Sequence, residues 1–338
     1  MILRPTVSAT LGNLRYDAHA VAVQVSLALL PRGGSVEIHL PASVRFEAEP
    51  GDDAQVDVDG GEGSERILTG KVHRVSRTPF GITAYIQDAG GVLAAFRPSV
   101  TYESQGASQV IQQLASDAGV EAQRVDVDLQ LAAYVAHPRW TAAQHVAALC
   151  RLGGCLGRIS GEGALEVIRR PSGQPEKALL YGREFTEYRS NRRSVPNTSR
   201  FAMGFGPAGS PSAPNAFKQT SQAIPSSAPD GGIGVLREAA PMLRSASAAS
   251  DASTALQEAA AASSERLHAK CFLLPGMRPG DVVEVQSLPA GLSGGPWLLT
   301  GVTHRLSPEF GGSTLLEAVS ADTSSLLGGL LGAIGGLV

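Results

Sequence analysis

The stretch from Leu274 to Leu306 reads LPGMRPGDVVEVQSLPAGLSGGPWLLTGVTHRL. Within it, Val283 and Val285 alternate with polar residues, and this period of two is typical of a strand with one buried face. Pro279-Gly280-Asp281 before the strand is a turn sequence, and the segment 291–296 after it is rich in glycine and proline. The stretch therefore predicts a strand, a loop and a second strand.

The same pattern occurs near the other end of the chain. Pro50-Gly51-Asp52 precedes Leu68-Thr69-Gly70-Lys71-Val72-His73-Arg74-Val75, just as the later turn precedes Leu299-Thr300-Gly301-Val302-Thr303-His304-Arg305-Leu306. The offsets from proline to threonine are 69 − 50 = 19 and 300 − 279 = 21 residues, a difference that a hairpin loop absorbs at little cost. This pattern favours one β-module used twice, although chance similarity remains the alternative for so short a repeat.

Composition limits the classes of function. The chain has 338 residues, which indicates two or three domains, and its net charge of −3 gives no global electrostatic reason to bind nucleic acid or an anionic membrane. Neither a signal peptide nor an apolar run long enough to span a bilayer is visible. The three cysteines, Cys150, Cys155 and Cys271, are expected to be buried reduced thiols rather than metal ligands.

Along the chain, residues 1–100 contain many short alternating segments separated by turns, which predicts a small barrel or sandwich. Residues near 107–170 predict a helix ending at Gly119, a second helix capped by Thr141 and Gln144, and a hairpin. The segment 206–232 is expected to be a long loop, and an Ala-rich helix is predicted from Asp251 to about His268.

Three residue clusters allow a functional and a structural interpretation. His137 and His145 near Trp140 suit a base or a ligand pair, but structural histidines are favoured because no nucleophile or carboxylate accompanies them. The Arg-rich segment 183–200 suits a DNA or phosphate contact, but a solvated strand or a subunit salt bridge is favoured. The acidic residues between 47 and 59 lack the spacing of a calcium loop.

The last segment, Ser324 to Val338, reads SSLLGGLLGAIGGLV and has no charged side chain. It is too short for a relaxed helical span of a bilayer and too rich in glycine for a stable isolated helix. We expect it to dock on another subunit or protein, with a membrane-active role as the lesser alternative. Its candidate docking residues are Leu326, Leu327, Leu330, Leu331, Ile334 and Leu337.

Together these stretches resemble the tail hub proteins of phages and contractile injection systems. These are the late-control D-type baseplate proteins, related to the first part of the valine-glycine-repeat spike of type VI secretion. The resemblance covers most of residues 35–320 and rests on three stretches in this order: EPGDDAQVDV with ILTGKVHRVSRT; YESQGASQVIQQLASDAGV with WTAAQHVAALCRLGGCLGRISGEGALEVI; and LPGMRPGDVVEV with GPWLLTGVTHRLSPEFGGSTLLEA.

The resemblance implies a mainly β fold with an α+β insert: two similar β-barrel tube modules and a small helix-helix-hairpin domain. The expected division is 1–100 for the first tube module, 101–180 for the α+β domain, 181–322 for the second tube module with its loop and helix, and 323–338 for the apolar tail. The repeated strands would then occupy equivalent positions in a ring. The candidate interface or ring-lining residues are Leu68, Thr69, Gly70, His73, Arg74, Leu299, Thr300, Gly301, His304 and Arg305.

The function implied is a structural hub in the virion tail or baseplate, assembled in the host cytoplasm. Three subunits with two modules each would present six, which adapts a hexameric tail tube to a trimeric spike. The implied partners are further copies of the chain, the tail tube protein, the central spike, and the tape-measure and baseplate wedge proteins, with DNA only as passing cargo and no stable membrane insertion.

No enzymatic activity, cofactor or metal is expected. The seven histidines are scattered, and no Gly-x-Ser-x-Gly, His-Glu-x-x-His or Cys-His signature is present. A cell-wall-degrading enzyme remains one alternative. A glycan-binding module is another, although only 5% of the residues are aromatic.

Overall fold

The computed structural model describes residues 5–17, 20, 22–171, 173–192, 199–204, 235–307 and 311–321. The predicted loop at 206–232 and the predicted docking tail at 323–338 lie outside these ranges. The elements of the described residues fall into three consecutive groups.

The first group is a set of antiparallel strands. Its alternating segments form strands because every second side chain is apolar and buried, as Val23 and Val25 are in β3 and Val36 and Ile38 are in β4. The strands are β1 (Thr6–Leu11), β2 (Leu14–Tyr16), β3 (Ala22–Ala28), β4 (Ser35–Pro41), β5 (Asp53–Asp59), β6 (Ser64–Thr78) and β7 (Gly81–Asp88).

The second group is the α+β insert. As predicted, Thr141 and Gln144 form a capping box, in which the Thr141 hydroxyl accepts from the Gln144 N–H and the Gln144 amide oxygen accepts from the Thr141 N–H. Gly119 follows the end of its helix with φ +75°. The elements are α1 (Ala89–Ala95), β8 (Val100–Gly106), α2 (Ala107–Asp117), β9 (Ala122–Val125), β10 (Gln130–Ala136), α3 (Ala142–Leu152), β11 (Cys155–Ile159) and β12 (Leu165–Arg169).

The third group returns to strands. Its elements are β13 (Lys177–Leu180), β14 (Phe185–Arg192), β15 (Ser199–Met203), β16 (Val235–Ala239), α4 (Ala246–Ala262), β17 (Glu265–Phe272), β18 (Val282–Gln286), β19 (Trp297–Ser307) and β20 (Gly311–Ser320).

The bounds of α4 correct the sequence prediction. The helix begins after Ser245, whose hydroxyl accepts from the Ala248 N–H, rather than after Asp251. It ends at Ala262, so His268 lies in β17 instead of in the helix. Ser245 was overlooked because alanine and serine fill both sides of Asp251 and give no periodic signal that separates the two candidate caps.

The described residues form separate cores. The helical insert has its own core, and α4 packs into it through Ala248, Ala252 and Leu256, although it follows β16 in the chain. The strands of the first group enclose a second core, and those of the third group a third. The fold is mainly β with an α+β insert, as predicted.

One sheet of 13 strands connects the first and third groups. Its order is β14-β17-β20-β19-β3-β4-β7-β6-β5-β1-β2, and β18 and β13 continue from β19 outside this path. The connection between the groups is the antiparallel pairing of β3 with β19, from Gly301 opposite Ala28 to Leu306 opposite Val23. The two groups are therefore hydrogen-bonded into a single continuous sheet.

Candidate assembly site

The two Pro-Gly-Asp turns have the same hydrogen-bond geometry. The Gly51 N–H donates to the Val72 carbonyl at 2.8 Å, and the Val72 N–H donates to the Asp52 carbonyl at 2.8 Å. In the later copy the Gly280 N–H donates to the Leu299 carbonyl at 2.8 Å, and the Leu299 N–H donates to the Asp281 carbonyl at 2.9 Å. Both glycines have positive φ, +103° and +97°, which a side chain would strain.

These bonds fix which positions correspond, and they correct the sequence alignment. Val72 stands where Leu299 stands, whereas the Leu-Thr-Gly motif matches Leu68 with Leu299, a difference of 72 − 68 = 4 residues. The bulges confirm the structural register, because β6 has an irregularity between Val72 and Arg74 and β19 has one between Leu299 and Gly301. The Pro-Gly-Asp repeat is structural, but the Leu-Thr-Gly-x-x-His-Arg segments do not occupy corresponding positions.

A larger repeat appears in the pairing of the strands. In the first group the order is β3-β4-β7-β6-β5, and in the third group it is β14-β17-β20-β19-β18. Each set follows the same chain order, the pairings within both sets are antiparallel, and β15, β16 and α4 are inserted after β14 in the second set. We call the two sets the first and second five-strand units.

The histidines of the motif lie in different environments. His73 is exposed and lies in the bulge of β6, whereas His304 is completely buried. The Nδ1 of His304 is 3.0 Å from the Thr314 hydroxyl, and burial, reinforced by the charge of Arg278, lowers the pKa of His304 to about 3. His304 is therefore a neutral core side chain, and the two histidines are not brought together as a catalytic pair.

The two arginines of the motif share one face of the sheet. Arg305 lies opposite Gln24, and its Nε donates to the Gln24 side-chain oxygen at 3.1 Å. Arg74 lies opposite Tyr85 and places its guanidinium carbon 4.0 Å from the centre of the ring. Glu37 of β4 lies opposite both Gln24 and Tyr85, so the arginines end one row of side chains that crosses five strands. This polar row comprises Arg305, Gln24, Glu37, Tyr85 and Arg74.

Four residues of the polar row, all except Arg305, border a concavity of about 380 Å³ that is lined also by His73 and Gln87. The sequence motif predicts the two arginines of the row but not Gln24, Glu37 and Tyr85. The available signal was the alternation in β3, β4 and β7, which assigns these three side chains to the solvent face.

The remaining motif residues are buried or half-buried within the chain. Leu68 and Leu299 are buried, while Thr69, Gly70 and Thr300 are half-buried. A Cβ at Gly70 would lie 2.0 Å from the carbonyl oxygen of Gln87, so only glycine fits between β6 and β7. The Thr300 hydroxyl donates to the Glu317 carbonyl at 3.2 Å, and the adjoining Gly301 is buried. The six apolar candidates of the tail, Leu326, Leu327, Leu330, Leu331, Ile334 and Leu337, lie outside the described residues.

A charged cluster attaches the insert to the second Pro-Gly-Asp turn. Asp281 is largely buried, and its carboxylate lies 3.2 Å from the Lys177 ammonium and 3.5 Å from the Arg158 guanidinium. Arg158 also donates to the Pro279 carbonyl at 3.0 Å and to Glu166 at 2.8 Å. The sequence predicts Asp281 only as a turn residue, because its partners lie more than 100 positions earlier in the chain.

The other clusters considered from the sequence have structural partners. His145 is buried, with Nδ1 2.7 Å from the Tyr134 hydroxyl and Nε2 3.0 Å from the His137 carbonyl, and burial lowers its pKa. In the Arg-rich segment, Arg192 forms an ion pair with Glu265 at 3.2 Å. The cysteines Cys150, Cys155 and Cys271 are free and buried, and burial raises the pKa of each thiol.

Within the described ranges, no group of three or more His, Cys, Asp or Glu side chains is placed to hold a metal ion. A helix both long and apolar enough to cross a membrane is likewise not found in this part of the chain.

Comparison with solved structures identifies a fold class. The chain has the fold of phage tail proteins and of a type VI secretion component. It is similar to the 43 kDa tail protein of prophage MuSo2 from Shewanella oneidensis (TM-score 0.67, 14% identity, 94% of this chain and 99% of that one). It is also similar to a tail protein from Neisseria meningitidis MC58 (TM-score 0.66, 14% identity, 94% and 97%).

A third similar structure is an E. coli component of the type VI secretion system, described as structurally similar to T4 bacteriophage tail proteins (TM-score 0.63, 10% identity, 92% of this chain and 76% of that one). At these identities the likeness concerns the fold. Neither the family models nor the curated protein sequences give a match to the chain.

Proposed function

We propose that the chain is a structural tail hub of a phage or phage-like injection machine. Three copies form a ring that joins a hexameric tail tube to a trimeric spike and lets DNA or other cargo pass. The observation that carries this proposal is the pair of five-strand units, which are hydrogen-bonded into one sheet through β3 and β19. The fold shared with phage tail proteins supports the same conclusion.

The mechanism is geometric. One chain supplies two units of like strand order, so three chains supply 3 × 2 = 6 units around a common axis. A ring of this kind matches six-fold symmetry on the tube side while retaining true three-fold symmetry for the spike. The residues 1–100 and 181–322 would then serve as tube modules, with 101–180 as the domain between them.

The polar row is the part of the sheet that we assign to the wall of the channel. Polar and charged side chains on both sides of the β3·β19 junction give a solvated face, which suits a passage for a hydrated cargo. The partners proposed are the tail tube protein and the central spike, with the tape-measure and baseplate wedge proteins as further contacts. Assembly takes place in the host cytoplasm, and the chain needs no cofactor and no enzymatic step for this role.

The proposal is tested by electron microscopy of the purified chain. Two-dimensional class averages should show rings with a central opening, three-fold symmetry and six lobes. Compact particles without an opening, at every concentration examined, would contradict it.

A further inference from the structure

The junction between the two units within one chain has a defined register. On one edge of β19, residues Gly301 to Leu306 pair with β3, while Trp297 and Leu298 pair with β18 on the same side. Thr303 lies opposite Ser26, and His304 lies opposite Val25. The junction therefore needs two things: a length of β19 beyond the Pro-Gly-Asp turn, and the first strand of a five-strand unit.

The first unit has the same length of strand beyond its turn. Because Val72 corresponds to Leu299, residues Val75 to Thr78 of β6 correspond to Val302 to Arg305 of β19. The strand β5 pairs with β6 only from Ser64 to Lys71. Among the described residues, no strand pairs with this edge of β6 at residues 75–78, where only β7 is hydrogen-bonded on the other side.

The second unit has the matching first strand. β14 takes the place in its unit that β3 takes in the first, and it ends the 13-stranded sheet with β17 as its neighbour. The register across each unit shows which residues of β3 and β14 correspond. Val36 of the first unit corresponds to Leu267 of the second, as the pairings through the next two strands of each unit show. Val25 pairs with Val36 and Ser190 pairs with Leu267, so Val25 corresponds to Ser190. In the part of the chain described, no strand pairs with the outer edge of β14 at residues 189–192, although Phe185 at the start of the strand forms a single bridge with Tyr181.

We propose that β14 of one copy pairs antiparallel with the edge of β6 at residues 75–78 of a second copy, and that this contact closes the ring. The proposal rests on the proposed trimeric assembly and specifies how its subunits meet. Transferring the register of β3 and β19 gives four opposite pairs. They are Val75 with Arg192, Ser76 with Asn191, Arg77 with Ser190, and Thr78 with Arg189.

The side chains permit this contact. No two arginines face each other directly, because each stands opposite a serine, threonine or valine. Two of the three arginines already have acidic neighbours, with Arg77 4.0 Å from Glu49 and Arg192 3.2 Å from Glu265. In the paired edges Arg77 and Arg192 are diagonal neighbours on one face, where Glu49 and Glu265 offset their charges.

An unpaired edge also calls for a partner on physical grounds. A strand edge with unsatisfied N–H and C=O groups is a template for pairing with another chain. Phe80, at the tip of the hairpin that follows residues 75–78, is 93% exposed, an unusual state for a large aromatic side chain beside such an edge. Since every copy has one edge of each kind, the contact is head-to-tail, the kind that generates a ring when the rotation between copies closes.

Cysteine cross-linking tests this register. Directly opposite residues of an antiparallel pair have Cα atoms about 4.5–5.5 Å apart, within the range that a disulfide spans. The double variant Ser76→Cys with Asn191→Cys places the pair between copies, and both side chains are exposed, so folding is not at risk. The matched control is Ser26→Cys with Thr303→Cys, the corresponding pair within one chain. The native cysteines are buried and do not compete.

After mild oxidation, a non-reducing denaturing gel should show covalent trimers for the Ser76/Asn191 variant and only the single-chain mass for the control. A mixture of the two single variants should stop at dimers, because each chain then has one reactive cysteine. Stronger cross-linking of Ser76→Cys with Arg189→Cys than with Asn191→Cys would overturn the register.

The failures of the two proposals are distinguishable. If light scattering gives a trimer but the Ser76/Asn191 pair does not cross-link while the control pair does, the edge pairing is wrong and the ring stands. If the chain stays monomeric under the same conditions, the proposed ring itself fails and the edge pairing fails with it.

Discussion

Acidification should destabilise the protein through one side chain, His304. The pKa of His304 is lowered from 6.5 to about 3 by burial and by Arg278, so the folded state takes up its proton only at much lower pH than the unfolded chain does. A group with a depressed pKa contributes stability above its unfolded value and loses that contribution as the pH falls. From these two pKa values, the free energy of unfolding falls by about 2 kcal/mol between pH 7.5 and 5.0, at about 1.4 kcal/mol for each unit below 6.5.

The assay is urea unfolding of wild type and of His304→Asn at pH 7.5 and 5.0. Asparagine keeps a polar atom near the position of Nδ1, which lies 3.0 Å from the Thr314 hydroxyl, but it does not titrate. The variant should be less stable at pH 7.5 because it leaves a cavity, and its disadvantage should shrink by about 2 kcal/mol at pH 5.0. Comparing the two proteins at each pH cancels the titration of all other groups.

The matched control is His73→Asn. His73 belongs to the same sequence motif but is exposed in the bulge of β6, and a surface substitution of this kind changes stability by about 0.5 kcal/mol or less. If both variants behaved alike at both pH values, the register that separates the two histidines would be refuted. A difference between wild type and His304→Asn that did not change with pH would refute the burial argument.

Three further predictions concern the fold. Asp88 is buried, and desolvation raises its pKa to about 6 although its carboxylate accepts from backbone N–H groups. Its contribution to stability is present below pH 3.8 and is lost as the pH rises through 6. In urea unfolding, the free energy of unfolding of Asp88→Asn should therefore increase relative to that of wild type between pH 4 and 7. Gly70→Ala should destabilise by more than about 3 kcal/mol, because its Cβ would lie 2.0 Å from a carbonyl oxygen. In the control variant Gly106→Ala the Cβ meets only ordinary contacts, so the loss of stability should be less than about 1 kcal/mol. Equal losses of stability for the two variants in thermal denaturation would contradict the close approach of the strands at Gly70. Asp281→Ala should destabilise by about 3 kcal/mol in urea unfolding, because it leaves two basic side chains without their buried carboxylate; a change below about 0.5 kcal/mol would show that this cluster is not structural.

Local chemistry made much of the fold predictable from the sequence. The alternation of Val23 and Val25 with polar residues gives a strand wherever one face is buried. The capping box of Thr141 and Gln144 satisfies helix donors with neighbouring side chains, so it needs no distant partner. The glycines of the two Pro-Gly-Asp turns adopt positive φ for local steric reasons.

The register of the repeat depends on non-local contacts, and here the sequence misled. A shift of four residues along a strand keeps the same alternation of faces, so the Leu-Thr-Gly match looks as regular as the true correspondence of Val72 with Leu299. Only the backbone bonds from the turns and the two bulges decide between them. The pairing of β3 with β19 joins segments more than 270 residues apart and has no local signal.

The proposed ring contains three copies of the chain and therefore six five-strand units. Light scattering at several concentrations gives the native mass of the purified chain. We expect a species of three times 34.9 kDa that persists on dilution. A mass of 34.9 kDa at every concentration would contradict it.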